Sequence, residues 1–306
     1  MTFTLNGPGE LGTRAGEDYN SGDGGWSNTK GNVSYTLVLS AEGHNQTYKK
    51  ENVAGNTVTF SPTVVLGREY TVTAYAHFSA TAQEDLTNIT ETKGINDESK
   101  DVYFFTTKEN VNKPTINFAD GTSYNFDLKR PYAKLRLIAE DLHEAERQFG
   151  AAIESVEVKY AYTRPTNFDV LDGVFTSAYT LAEETFSAAY GAYTADTNES
   201  RTIFVDYIPA NTGDQMMPFT VKVTFANGKT YTREFRQDIP VRRNWLTTLK
   251  GRLFTMDSEL KLTIEENFDG ETNIDYVLAT TAAELNDALE NAEEGSTILL
   301  QENLNY

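Results

Sequence analysis

The sequence predicts an all-β protein of two domains followed by a short helix and strand. The chain has 306 residues, more than one modal domain of about 100–150 residues holds. Tyr and Phe number 17 each, and many Thr and Val lie near them, a mixture that suits a pleated, half-buried surface. Most decisive, apolar side chains recur at every second position in short runs bounded by Gly, Pro or Asn, the pattern of strands with one face in a core.

The first run, Thr2-Phe3-Thr4-Leu5, alternates but is short. A stretch rich in Gly, Asp and Asn follows it from Asn6 to Gly31, long for a connection inside a compact domain. Strands are then expected over Val33 to Ser40, Thr57 to Phe60, Thr63 to Leu66, Tyr70 to Phe78 and Val102 to Thr106. In Tyr70 to Phe78 the residues Tyr70, Val72, Ala74, Ala76 and Phe78 share one face, and Thr71, Thr73, Tyr75 and His77 the other. Polar residues 108–113 before Pro114 suggest a boundary, giving a first sandwich over 1–120.

The second sandwich, 121–264, is expected to contain strands at Tyr124 to Leu128, Ala133 to Ile138, Val156 to Tyr162, Ile203 to Ile208, Phe219 to Phe225, Thr230 to Phe235 and Leu246 to Phe254, ending on Leu260 to Ile264. One helix, Asp141 to Phe149, interrupts it, with Asp141 and Glu144 at capping-box spacing. Ala226-Asn227-Gly228-Lys229 reads as a hairpin turn. A two-residue loop would split the apolar residues of its strands between faces. A three-residue loop with Gly228 in a left-handed bulge puts Phe219, Val221, Val223 and Phe225 on one face with Tyr231 and Phe235, as a single buried face requires.

Residues 265–306 change character. After the acidic, loop-like stretch Glu265 to Asp275, the capping box at Thr281 to Glu284 opens a helix carrying Leu285, Ala288, Leu289 and Ala292, and Gly295 stands where a C-terminal cap belongs. Ser296 to Leu300 reads as a strand, and the segment as the start of a module that continues past Tyr306.

Composition narrows the chemistry. A net charge of -19 and a pI near 4.6 repel phosphate backbones and anionic membrane surfaces, so nucleic acid is a poor partner. Mean hydropathy is -0.49, and no apolar run is long enough to span a bilayer. The absence of cysteine excludes disulfides and thiolate chemistry. The three histidines, His44, His77 and His143, have no paired metal-ligand spacing, and no phosphate loop, nucleophile elbow or zincin motif is present. No cofactor is expected. Carboxylates are so numerous that neighbours such as Glu183 and Glu184 do not argue for glycoside hydrolysis, which needs a set spatial separation. Among the aromatic residues Tyr160, Tyr162, Phe168, Tyr179, Tyr190 and Tyr193, Tyr160, Tyr162 and Phe168 are the candidates for stacking a sugar, and the same residues suit the core and rim of a sandwich.

Three segments carry a resemblance: Leu128-Lys129-Arg130-Pro131-Tyr132-Ala133-Lys134-Leu135-Arg136-Leu137; Tyr162-Thr163-Arg164-Pro165-Thr166-Asn167-Phe168-Asp169-Val170; and Ile239-Pro240-Val241-Arg242-Arg243-Asn244-Trp245-Leu246-Thr247-Thr248-Leu249-Lys250-Gly251. Over roughly residues 1–265 the chain resembles the fimbrillin-like proteins of Bacteroides and its relatives. The resemblance implies two transthyretin-like, Greek-key sandwiches, export as a lipoprotein to the outer membrane and cell surface, and assembly with other fimbrial subunits into type V pili or related adhesins by donor-strand exchange. It also implies an N-terminal strand released by a trypsin-like protease. Thr2, Phe3, Thr4 and Leu5 match that strand, and Arg14 in Gly12-Thr13-Arg14-Ala15 the cleavage point. The tail from Ala279 to Leu300 is similar to the cap and first rung of a right-handed, pectate-lyase-like β-helix, which departs from a pilin ending in a donor strand and favours a tip or stand-alone adhesin. Two alternatives stay open: a glycan-binding module of a surface polysaccharide system, and an accessory to a catalytic β-helix.

Overall fold

The computed structural model describes residues 1–7, 32–55, 57–90, 95–97, 101–189, 201–210, 212–213, 215–235, 239–255, 260–266, 273–279, 282–291 and 297–300. The first half contains β1 (Thr2–Asn6), β2 (Val33–Ala41), β3 (His44–Val53), β4 (Thr57–Phe60), β5 (Glu69–Phe78), β6 (Ile89–Thr90), β7 (Val102–Thr106), β8 (Ile116–Asn117) and β9 (Ser123–Asp127). Two sheets of these strands, β4-β1-β9 and β3-β2-β5-β7, face each other. Between them Phe3, Leu5, Leu37, Tyr70, Val72 and Phe126 form one core.

Alternation in β5 sends Tyr70, Val72, Ala74 and Ala76 into that core as predicted. Its second face is buried as well, with Thr73 and Tyr75 each only 2% exposed, because another layer covers it. The strand expected at Thr63 to Leu66 does not form. Pro62 and Gly67, whose φ of 80° suits glycine, turn the chain there, and the Val65 amide donates to the Tyr70 hydroxyl at 2.9 Å.

The second half runs through β10 (Tyr132–Ala139), α1 (Leu142–Phe149), β11 (Ile153–Thr163), β12 (Asn167–Asp169), β13 (Val174–Phe175), β14 (Thr180–Ala189), β15 (Arg201–Pro209), β16 (Gln215–Met216), β17 (Phe219–Phe225), β18 (Thr230–Phe235), β19 (Pro240–Val241) and β20 (Trp245–Gly251). It continues into β21 (Leu260–Glu266), β22 (Asn273–Ala279), α2 (Ala282–Asn291) and β23 (Thr297–Leu300). The sheets β15-β10-β20-β21-β22-β23 and β14-β11-β17-β18 enclose a second core that includes Leu135, Leu137, Val156, Val158, Phe219 and Val221. The protein is therefore an all-β sandwich fold.

The hairpin forms in the predicted register. Val223 faces Tyr231, Phe219 faces Phe235, and the Phe225 amide donates to Lys229 across a three-residue loop in which Gly228 has φ of 80°. Helix α1 also forms, ending on Gly150 in the left-handed region. Its predicted capping box does not. Asp141 instead accepts the backbone amides of Leu253, Phe254 and Thr255 at 3.0, 2.7 and 2.8 Å, and Glu144 pairs with Arg252. A carboxylate that ties down three amides of another segment gains more than one local cap offers.

Strand β9, expected in the second set, pairs in parallel with β1. Phe126 and Leu128 belong to the first core and Ala133 to the second, so the change of core falls between residues 128 and 133. The tail continues the six-stranded sheet, with β22 antiparallel to β21 and β23 parallel to β22. The expected caps Thr281 and Gly295 lie outside the described residues.

The two sandwiches share structure. Strand β12 pairs with β6, Phe168 opposite Ile89, and a small cluster unites Tyr75, Leu86 and Phe104 of the first half with Phe168 and Val170 of the second. This is the layer over the second face of β5.

Candidate functional site

Strand β1 occupies the centre of its sheet. Phe3 lies opposite Phe60 of β4 in antiparallel register and opposite Tyr124 of β9 in parallel register. The Asn6 carbonyl accepts the Leu128 amide at 2.7 Å. Phe3 and Leu5 are fully buried, with the Phe3 ring 4.7 Å from Phe118 and 5.4 Å from Phe126, whereas Thr2 and Thr4 are half-buried. Burial of each apolar side chain contributes about 1.5–3 kcal/mol. Taking β1 away would leave facing rows of amides and carbonyls on β4 and β9 around an apolar slot, a template for another extended strand. Arg14, the expected cleavage point, lies outside the described residues.

The arginines of the resemblance segments build the junction behind this site. Arg130 forms a two-pronged pair with Asp101, Nε to Oδ1 at 2.7 Å and Nη2 to Oδ2 at 2.9 Å, while its guanidinium lies 4.9 Å from the Tyr103 ring centre. Burial opposes the Arg130 cation, but Asp101 beside it more than compensates and raises its pKa. The Arg130 amide donates to Asn244 Oδ1 at 2.9 Å, and Asn244 stands at φ of 64°, a region that asparagine tolerates better than most residues. Arg243 Nη1 donates to the Gly173 carbonyl at 2.8 Å and to Glu109 at 3.2 Å. Burial lowers its pKa, partly offset by Glu109. The Arg243 guanidinium thus holds the shared layer between the halves.

A second buried pair sits under β15. Arg164 Nη1 and the Tyr160 hydroxyl both donate to Asp206 Oδ2 at 2.8 Å, and Arg164 lies 4.3 Å over the Phe186 ring. Burial first, and Asp206 second, push the Tyr160 hydroxyl well above its ordinary pKa. Strand β15 pairs with β10 on one side. On its other side, one backbone amide and three side chains meet the strand. The Asn96 backbone amide donates to the Val205 carbonyl at 2.8 Å, and the Asn96 side-chain Oδ1 accepts the Val205 amide at 2.9 Å. Arg164 reaches the Tyr207 carbonyl at 3.3 Å, and the Tyr179 hydroxyl the Pro209 carbonyl.

The expected sugar-stacking residues are not brought together. Tyr160 is buried in the second core and Phe168 in the layer between the halves, 0% and 1% exposed. Tyr162 is half-buried against the second core, and Tyr190 and Tyr193 lie outside the described residues. Sequence reasoning missed Asp101, Asp206 and Asn96. Asp206 left a readable signal, a carboxylate inside the otherwise apolar run from Ile203 to Ile208. Asp101 and Asn96 left none.

Comparison with solved structures returns similar chains at low identity. A candidate cell adhesion protein of Bacteroides eggerthii is 14% identical, covering 81% of this chain and 84% of that one with a TM-score of 0.41. A candidate adhesin of Bacteroides ovatus is 11% identical, with 89% and 93% covered and a TM-score of 0.41. Candidate polysaccharide binding proteins of Bacteroides thetaiotaomicron are 8% identical, with 89% and 99% covered and a TM-score of 0.44. No curated protein matches the chain. Residues 1–297 match the profile of a family of unknown function, DUF6562, and the chain belongs to that family.

Proposed function

We propose that this protein is a cell-surface structural and adhesive subunit of the fimbrillin-like kind, a pilus tip or stand-alone adhesin, exported as a lipoprotein to the outer membrane. Its role is binding and assembly, not catalysis. The observation that carries the reading is the position of β1, a five-residue strand held by backbone pairing on both sides with Phe3 and Leu5 buried beneath it. Cleavage after Arg14 would detach β1 from the chain that follows, and a strand of a neighbouring subunit would restore both hydrogen-bonded edges and fill the apolar slot. The parallel pair β22 and β23, joined through α2, supports reading the tail as the first turn of a β-helix presented by the two sandwiches.

Limited trypsin treatment of the protein and of Arg14→Gln, followed by size measurement and mass spectrometry, tests the reading. Trypsin should cleave the unsubstituted chain at Arg14 and release residues 1–14. The cleaved protein should then take up an added Thr-Phe-Thr-Leu-Asn peptide or assemble with itself, and Arg14→Gln should do neither. Cleavage at Arg14 without release of β1 or strand uptake counts against the proposal.

A further inference from the structure

Between β13 and β14 the surface carries a cleft of about 380 Å³ lined chiefly by Pro165, Phe175, Thr176, Ser177, Tyr179 and Pro209. It owes nothing to the β1 slot, and the buried Tyr160 and Phe168 stand behind its walls without lining it. Its walls are held from behind. The Phe175 ring packs 4.9 Å from Phe168 and 5.8 Å from Tyr132, and the Tyr179 hydroxyl is engaged by the Pro209 carbonyl. Both rings are therefore fixed before any ligand arrives, which lowers the entropy lost on binding.

The chemistry of the lining selects the ligand. Among the described residues no acidic or basic side chain lines the cleft, although the chain carries a net charge of -19. An anionic or cationic ligand would be desolvated there without a partner charge. Two aromatic rings and two prolines, which lack an amide donor, provide apolar surface. Ser177 adds an exposed hydroxyl, and Thr176, exposed but donating its hydroxyl to the Asn167 carbonyl at 3.3 Å, adds an acceptor oxygen. Val174, 50% exposed, and Leu181, 81% exposed, extend apolar surface along the same segment. Flat apolar faces beside neutral hydroxyls match a sugar ring, whose C–H faces stack on aromatics and whose hydroxyl rim exchanges hydrogen bonds. The volume falls in the range of small-molecule sites, about 300–1,000 Å³.

We infer that this cleft binds a neutral carbohydrate, one or two sugar rings stacked on Phe175 and Tyr179. The test is a glycan array carrying neutral, sialylated and sulfated oligosaccharides, probed with the whole protein, then calorimetric titration of the best neutral binder. Ser177 is exposed, so Ser177→Trp should fold and fill the cleft. It should weaken binding about tenfold or more with an unchanged melting curve. Tyr179→Phe, which keeps the ring, should stay within about threefold of the unsubstituted protein. A silent array, binding confined to acidic glycans, or full binding by Ser177→Trp overturns the assignment. So does a proline-rich peptide that binds in a Ser177→Trp-sensitive manner when no neutral glycan does.

Discussion

Strand β1 and strand β15 both border a core, but their open sides are managed in opposite ways. Strand β9 pairs with β1 over Thr2 to Asn6 and β4 over Phe3 to Asn6, and the side chains of β1 add only Phe3 and Leu5 to the core. Among the described strands β15 pairs with β10 alone, and its other edge is met by Asn96, Arg164 and Tyr179. Backbone pairing is sequence-tolerant, so under the proposed exchange any strand with two suitable apolar residues would suit the β1 site. Side-chain caps are specific. An incoming strand at β15 would have to displace Asn96 and an arginine already committed to Asp206. The same fold thus holds one strand paired by backbone on both sides, the site of the proposed exchange, and one edge covered largely by side chains, as sheet proteins do to avoid unwanted association.

The comparison can be broken first at its most buried charge. Arg164→Ala leaves Asp206 in the interior without its cation and should cost about 3–5 kcal/mol, read by urea unfolding. A loss below about 1 kcal/mol would mean that Asp206 is held by other groups. Phe3→Ala should cost roughly 3 kcal/mol and also raise amide hydrogen exchange in β1 well before exchange rises in β15. Equal acceleration in both strands would show that β1 does not open by itself.

Asn96→Ala removes one of the two bonds to Val205 and should cost about 1–2 kcal/mol. It should also introduce a concentration-dependent dimer, visible by light scattering, through the uncovered edge. A strictly monomeric variant would show that Asn96 does not guard β15. The smallest effect near neutral pH concerns the tyrosines. Tyr35, in the core with β1, is pushed up to about 12 by burial, and Tyr160 is raised by burial and Asp206. An unfolded tyrosine ionises near pH 10, so these groups favour the native state fully below that pH. Their contribution is lost as pH climbs from about 10 through the folded values. Absorbance at 295 nm and circular dichroism should register their ionisation and unfolding together above pH 10, and exposure of both tyrosines below pH 9 would contradict their burial.

Much of the fold was legible in the residues. The strands Val102 to Thr106, Phe219 to Phe225 and Thr230 to Phe235 form as read, because period-two apolarity and a glycine turn leave few competing registers. The strand β3 was not legible. His44-Asn45-Gln46-Thr47-Tyr48-Lys49-Lys50-Glu51-Asn52-Val53 is polar on both faces, and its order comes from pairing with β2. Strand β14 was missed for a related reason, since it lies at the edge of its sheet with Leu181 and Glu183 exposed. The slot strand was readable as a short alternating run, whereas its place between β4 and β9 was not, because parallel pairing with β9 spans over a hundred residues of chain.

The sequence by itself determined the class of fold, the hairpin register and α1, since each follows from spacing and turn chemistry within a few residues. Only the tertiary structure decided which charges are buried, that Asp141 clamps Leu253 to Thr255 instead of capping its helix, and that the two sandwiches share a sheet and an aromatic layer. A local pattern cannot specify these contacts. They join segments distant along the chain, and one aspartate among many looks the same in sequence until packing removes its water.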